Sequence, residues 1–208
     1  MSAITVLVIE NQPLIRMGLK SLFASVDDIE LLGEAAAPEG GFRMFAEMSP
    51  DVTLLSLRFP GSCTIDNLHQ YLTERPAAKI IILAEHAGDN EITRALKIGA
   101  LGYVLKDVAA SDMLDAVRTV NAGRKYIPAE IAGILSEHIG QEELTPAEAS
   151  VLQMIVGGMS NKEIAFALDV SENTTKSHVQ NIFGKLGVSD RTSAAAQAIK
   201  RGIVRVNI

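Results

Sequence analysis

The chain has 208 residues and a formal net charge of −6, with 48% hydrophobic and 21% charged residues, a globular composition rather than a disordered or fibrous one. Its longest apolar runs, 80–84 and 164–168, are five residues each, against the ~20 needed to span a bilayer, and no basic leader precedes the first apolar run, so a cytoplasmic protein without a membrane partner is expected. A lone cysteine, Cys63, excludes a disulfide framework and a cysteine metal cage.

Five short apolar runs, at 5–9, 29–33, 52–57, 79–83 and 102–105, alternate with amphipathic segments at 13–24, 39–48, 65–74, 90–98 and 111–121. Continuous hydrophobicity predicts strands buried on both faces. Five strand–helix units then predict an α/β fold with a five-stranded, doubly wound parallel sheet. In such sheets functional groups collect at the carboxyl ends of the strands, here Glu10, Asn11, Ser56, Ala84, Glu85 and Lys106.

After Gly123 the strand signal stops. Residues 129–139 predict one acidic helix and 140–143 a polar linker. From Leu144 everything reads as helix, giving an all-α four-helix domain. Thr145 to Glu148 is a capping box with proline at the first helical position, and Ser160 to Glu163 is a second. Gly157 and Gly158 end the first helix, Ser171 caps the third and Ser189 the fourth. Charge divides the same way. Residues 1–128 hold 12 basic and 16 acidic side chains, 129–143 hold four glutamates and no base, and from Asn173 onward the count is six basic to one acidic. An acidic body with a basic end predicts a polyanion-binding module joined to something else.

On the third helix, Glu172–Leu186, the residues Thr175, Val179, Ile182, Phe183 and Leu186 form one apolar stripe. The other side presents Asn173, Lys176, Ser177, Gln180, Asn181 and Lys185, groups that read base edges and bind phosphates. A three-residue turn joins this helix to its predecessor, the spacing of a helix-turn-helix. His178, with no cysteine ligands nearby in sequence, is read as a packing or backbone-contact residue rather than a metal ligand.

Leu144-Thr-Pro-Ala-Glu148, Val151-Leu152, Gly158-Met-Ser-Asn-Lys-Glu-Ile-Ala165, Ser171-Glu-Asn-Thr174, Lys176-Ser-His-Val179, Asn181-Ile182, Lys185-Leu-Gly-Val188 and Asp190-Arg-Thr192 together resemble the LuxR-type helix-turn-helix. The resemblance implies sequence-specific binding of double-stranded DNA by a homodimer. Lys176, Ser177 and Gln180 would face bases or adjacent phosphates. Asn161, Lys162, Asn173, Thr174, Lys185 and Arg191 would serve as further DNA contacts. The last helix, 191–201, would supply the dimer contact through Ala194, Ala195 and Ala198. Thr175 departs from the family's usual valine on the inward face.

The first 122 residues resemble the receiver domain of NarL/FixJ-type response regulators, a flavodoxin-like fold. The carrying residues are Val6-Leu-Val-Ile9, Pro13-Leu-Ile-Arg16, Pro50-Asp-Val52, Pro60-Gly61, Ala95-Leu96, Gly99-Ala-Leu-Gly-Tyr103 and Leu105-Lys-Asp107. A working receiver binds Mg²⁺ through two acidic residues and an acceptor aspartate, phosphorylates that aspartate, and senses it with a hydroxyl. Here the acidic pair reads Glu10-Asn11, the acceptor position Ser56 and the sensing position Ala84; Lys106 and the aromatic switch position, Tyr103, keep their type. A serine hydroxyl is a poor nucleophile without an adjacent base, so the site is read as degenerate, with no cofactor, no metal and no enzymatic activity. Lys106 is read as a structural partner of Glu10, and Cys63 as an inert thiol.

These readings divide the chain into a receiver-like domain at 1–122, a linker with a helix at 123–143 and a DNA-binding domain at 144–208. They predict a response-regulator transcription factor working without aspartyl phosphate, controlled through receiver dimerisation or a regulatory protein partner on the 90–121 region. The alternative is a signalling adaptor that titrates another regulator.

Overall fold

The computed structural model describes residues 2–60, 62–137 and 142–204. It divides into two compact units, one built mainly from residues up to 133 and the other mainly from residues after it. No described helix is long and apolar enough to cross a membrane.

The first unit is a five-stranded parallel sheet. Its strands in the order of the sheet are β2 (Ile29–Ala35), β1 (Ile4–Ile9), β3 (Val52–Ser56), β6 (Ile80–Ala84) and β7 (Gly102–Leu105). The central strands β3 and β6 are buried at every position, which is why their sequence does not alternate. Helices α1 (Pro13–Phe23) and α5 (Ala110–Asn121) bury Leu19, Phe23, Met113, Ala116, Val117 and Val120 against one face of the sheet. Helix α2 (Pro38–Met48) lies on the opposite face, where a Cβ at Gly41 would sit 2.5 Å from Ile9 Cγ2, so only glycine permits that approach. It meets α3 (Thr64–Glu74) where the Tyr71 ring packs edge to face against Phe42 and Phe45. Helix α4 (Asp89–Ile98) precedes β7.

A small antiparallel hairpin, β4 (Arg58–Phe59) with β5 (Ser62–Cys63), follows β3 where the sequence reads as loop. Phe59 and Cys63 are buried and anchor it. Ladders of two residues carry no periodicity, so only Pro60 and Gly61 signal the turn, and Gly61 lies outside the described residues.

Helix α6 (Ala129–Glu137) forms at the start of the predicted acidic segment; 138–141, including the first half of the expected linker, lie outside the described residues. The second unit contains α7 (Pro146–Val156), α8 (Asn161–Leu168), α9 (Glu172–Leu186) and α10 (Arg191–Lys200) around a core of Val151, Leu152, Ile155, Ile164, Val179, Ile182, Leu186, Ala194 and Ala198. Both predicted capping boxes are formed, and Ser171 caps α9. The cap of α10 is Asp190 rather than Ser189, its carboxylate accepting from the Ser193 N–H at 2.8 Å. An aspartate one residue closer to the helix reaches that amide directly.

Ile182 is fully buried at the centre of the second core. Ile182→Ala is expected to destabilise this unit by about 2–5 kcal/mol, seen as a lower urea midpoint at unchanged slope. An unchanged midpoint would contradict the packing described.

Candidate nucleic-acid interface and the polar cluster on the sheet

The register of the sheet builds the first polar cluster. Ile9 pairs with Leu55, Ser56 with Leu83, and Ala84 with Leu105. Glu10, Ser56, Ala84 and Lys106 therefore emerge together at the carboxyl edge. Glu10 and Ser56 are fully buried. Lys106 Nζ donates to Glu10 Oε1 at 3.1 Å and lies 2.9 Å from Oε2, which receives its charge without an aligned hydrogen bond. The Gln12 N–H donates to Glu10 Oε1 at 2.8 Å, and the Asn11 amide, oriented nitrogen-first, reaches the same oxygen at 2.9 Å.

The hairpin closes this cluster. The carbonyl of Arg58 accepts from Ser56 Oγ at 3.2 Å and from the Asn11 amide at 3.2 Å. Thr64 Oγ1 donates to the Ser56 carbonyl. Ala84 contributes only a methyl group, and Tyr103 is fully buried with its hydroxyl donating to the His86 carbonyl at 3.3 Å. Glu85 accepts from Gln12 and lies 3.8 Å from the Lys106 ammonium.

This donor set does not fit a magnesium ion. Magnesium dehydrates reluctantly and is held by carboxylates, whereas the one buried carboxylate here faces an ammonium and two N–H donors. Nor does it activate a nucleophile, because the Ser56 proton is directed at a carbonyl rather than a base. Asp51 stands at the amino end of the sheet, accepting from Thr5 N and Oγ1 at 2.9 and 2.8 Å, bonds that hold its carboxyl below the usual range. Asp66, on α3, pairs with Arg94 at 3.2 Å. Cys63 is buried, and among the described residues no group of three or more His, Cys, Asp or Glu could hold a metal. Sequence reading missed Gln12 and the Arg58 carbonyl, since a backbone acceptor leaves no residue signature.

The second cluster is the outer face of α9. Thr175, Val179, Ile182 and Leu186 are buried, while Asn173, Thr174, Lys176, Ser177, Gln180 and Asn181 are exposed along the opposite side. Lys176 Nζ lies 3.1 Å from Glu172 one turn earlier. Ser177 Oγ donates to the Asn173 carbonyl at 3.1 Å, and Thr174 Oγ1 lies 2.8 Å from Ser171 Oγ. Lys162 is exposed on α8, and His178 is half-buried.

Two of the expected contacts are turned inward. Lys185, only 18% exposed, lies 2.8 Å from the buried Glu148 and donates to the Glu143 carbonyl at 3.2 Å. Arg191 bonds the Met159 carbonyl and, at 3.4 Å, Asn161 Oδ1, tying the start of α10 to the start of α8. Of the alanines expected at the dimer contact, Ala194 and Ala198 are instead fully buried in their own domain's core, where small residues let α10 approach its neighbours, and Ala195 is half-buried. The outward face of α10 carries Thr192, Ala196 and Ile199.

Residues 6–118 match the response regulator receiver domain, and residues 142–198 match the bacterial regulatory proteins of the luxR family. The chain is 37% identical to the transcriptional regulatory protein LiaR of Bacillus subtilis (strain 168), over 97% of this chain and 99% of that protein. It is 31% identical to the nitrate/nitrite response regulator protein NarL of Escherichia coli (strain K12), over 92% and 93%. Its fold is similar to that of RcsB from Salmonella enterica serovar Typhimurium bound to a promoter, with a TM-score of 0.76 and 22% identity over 96% of this chain and 99% of that one.

Two predictions arise from these clusters. Lys106→Met leaves a buried carboxylate without its cation and is expected to cost about 3–5 kcal/mol; adding Glu10→Gln should restore much of it in a denaturant titration. A double variant as unstable as the single one would contradict the pairing. In the helical unit, the hydrogen bond from Lys185 lowers the Glu148 carboxyl below its ordinary value of 4.5. A depressed carboxyl stabilises the fold above its unfolded value and loses that contribution as pH falls through the folded one. Wild type should therefore lose stability as pH falls below the ordinary glutamate value of 4.5, and Lys185→Met should flatten that part of the profile. An identical pH dependence in the two proteins would refute it.

Proposed function

The chain belongs to the bacterial response regulators that join a receiver domain to a luxR-family domain, the DNA-binding transcription regulators of two-component systems, and from that premise we propose that this member works without aspartyl phosphorylation. The observation carrying this reading is the state of the carboxyl edge: Ser56 stands at the acceptor position with its hydroxyl bonded to a backbone carbonyl, and Glu10 is committed to Lys106. The domain limits of this reading are 1–122 for the receiver, 123–143 for the linker and 144–208 for the DNA-binding module, in a cytoplasmic protein.

In this reading α9 enters the major groove, with Lys176, Ser177 and Gln180 toward bases or adjacent phosphates and Asn173, Thr174 and Lys162 as further contacts. Lys185, Arg191 and Asn161 act by fixing the helices rather than by touching phosphate. Two copies read a two-fold site, meeting through the outer face of α10, where Ile199 is 48% exposed. Receiver association, with a second copy or a regulatory partner, is drawn on α1. The 90–121 stretch presents no large exposed hydrophobic side chain among the described residues, whereas Leu14 and Met17 are 80% and 65% exposed. A titrating adaptor would use the same α1 face and would not need the exposed polar face of α9.

Lys176→Ala and Gln180→Ala are each expected to weaken binding to a genomic site by about 1–3 kcal/mol in a gel-shift titration. Equal affinity of both variants and wild type would overturn the DNA-binding assignment of α9. Ile199→Asp should lower the protein-to-DNA mass ratio of the complex from two chains toward one, and an unchanged ratio would remove α10 from the dimer.

A further inference from the structure

The side chains that α9 leaves unengaged match one kind of base edge. Residues 173, 176, 177 and 180 share a stripe two turns long, about 10.5 Å at 1.5 Å per residue, or roughly three base pairs of 3.4 Å. On it, Lys176 is paired with Glu172, and Ser177 bonds its own backbone. The amides of Asn173 and Gln180, one at each end of this stripe, are exposed and make no side-chain hydrogen bond within the described residues; Asn181, the next residue round the helix, is exposed beside Ser177 at the edge of the stripe. The helix contains no arginine, and Arg191 just beyond it is engaged with Met159 and Asn161.

Resting on the reading of α9 as the groove-facing helix, we infer that this protein reads its half-site through adenine, with Asn173 and Gln180 gripping the major-groove edges of two A·T pairs about three steps apart. A carboxamide offers one acceptor and one donor side by side. Adenine presents the complement, the N6 amino donor beside the N7 acceptor. Guanine presents two acceptors, N7 and O6, so an amide satisfies one and turns its oxygen against the other. The double donor that suits guanine is a guanidinium, and this helix has none. Lys176, a single point charge already facing Glu172, supports the complex from the centre of the stripe without defining the end positions.

The test begins with selection of random-sequence duplexes on the full chain, followed by affinity titrations on the recovered site. Single adenines are replaced by 7-deazaadenine, and single guanines by 7-deazaguanine. The inference predicts two adenines per half-site, about three steps apart, at which 7-deazaadenine weakens binding by about tenfold or more. It also predicts that Gln180→Ala abolishes the effect at one of them and Asn173→Ala at the other, with the thermal unfolding of both variants unchanged. A recovered half-site at which only 7-deazaguanine weakens binding overturns the adenine readout while leaving DNA binding by α9 intact. Selection that enriches no sequence overturns both.

Discussion

A carboxylate removed from water must meet a positive charge or become neutral. Desolvation costs several kcal/mol per ion in a protein interior, and the mutual attraction of a pair offsets it only when geometry and further hydrogen bonds are good. Glu10 meets this condition through Lys106, the Gln12 N–H and the Asn11 amide. The pair joins the ends of β1 and β7, strands separated in the sheet by β3 and β6. In the proposed reading this cross-sheet tie stands where a phosphorylated receiver would use a metal ligand and a phosphoryl counter-charge. Ser56 and Asn11 complete it with neutral hydrogen bonds to the Arg58 carbonyl, while Glu10 Oε2 is met by the Lys106 charge alone.

The helical unit uses the same physics for a different end. Glu148 caps the N-terminus of α7, and Lys185 from the last turn of α9 lies against it. Together with Gly187, whose φ of 66° terminates α9 in the left-handed region, the pair fixes how the far end of α9 sits on α7. Arg191 and Asn161 do the same between α10 and α8. The inward stripe and these ties hold α9 by one side, leaving its opposite face to solvent. Preorganisation of that kind lowers the ordering entropy that recognition must overcome.

The five strands, the flanking helices and the two capping boxes were legible because each rests on local pattern: continuous apolar runs, a period near 3.6, or a serine or threonine three residues before a glutamate. The positions of Glu10, Ser56, Ala84 and Lys106 at one edge followed from parallel topology alone. Other features depended on tertiary geometry. Ala194 and Ala198 read equally well as an inter-subunit or an intra-domain contact, since small size permits both, and the core claims them. Lys185 and Arg191 carry the charge expected of phosphate ligands, yet an interior carboxylate and a carbonyl in the loop between α7 and α8 attract the same groups. The hairpin after β3 is too short for periodicity, so the acceptor that closes the polar cluster could not be read from side chains.

The central claim is that the carboxyl edge of this receiver is finished without a phosphoryl group. Its most direct test is to incubate the full chain with acetyl phosphate and Mg²⁺, then measure intact mass and operator affinity on the same sample. The account predicts no phosphoryl adduct and an affinity equal to that of the untreated protein. An adduct removed by hydroxylamine, together with a changed affinity, would show an acyl phosphate acting as the switch and would contradict it.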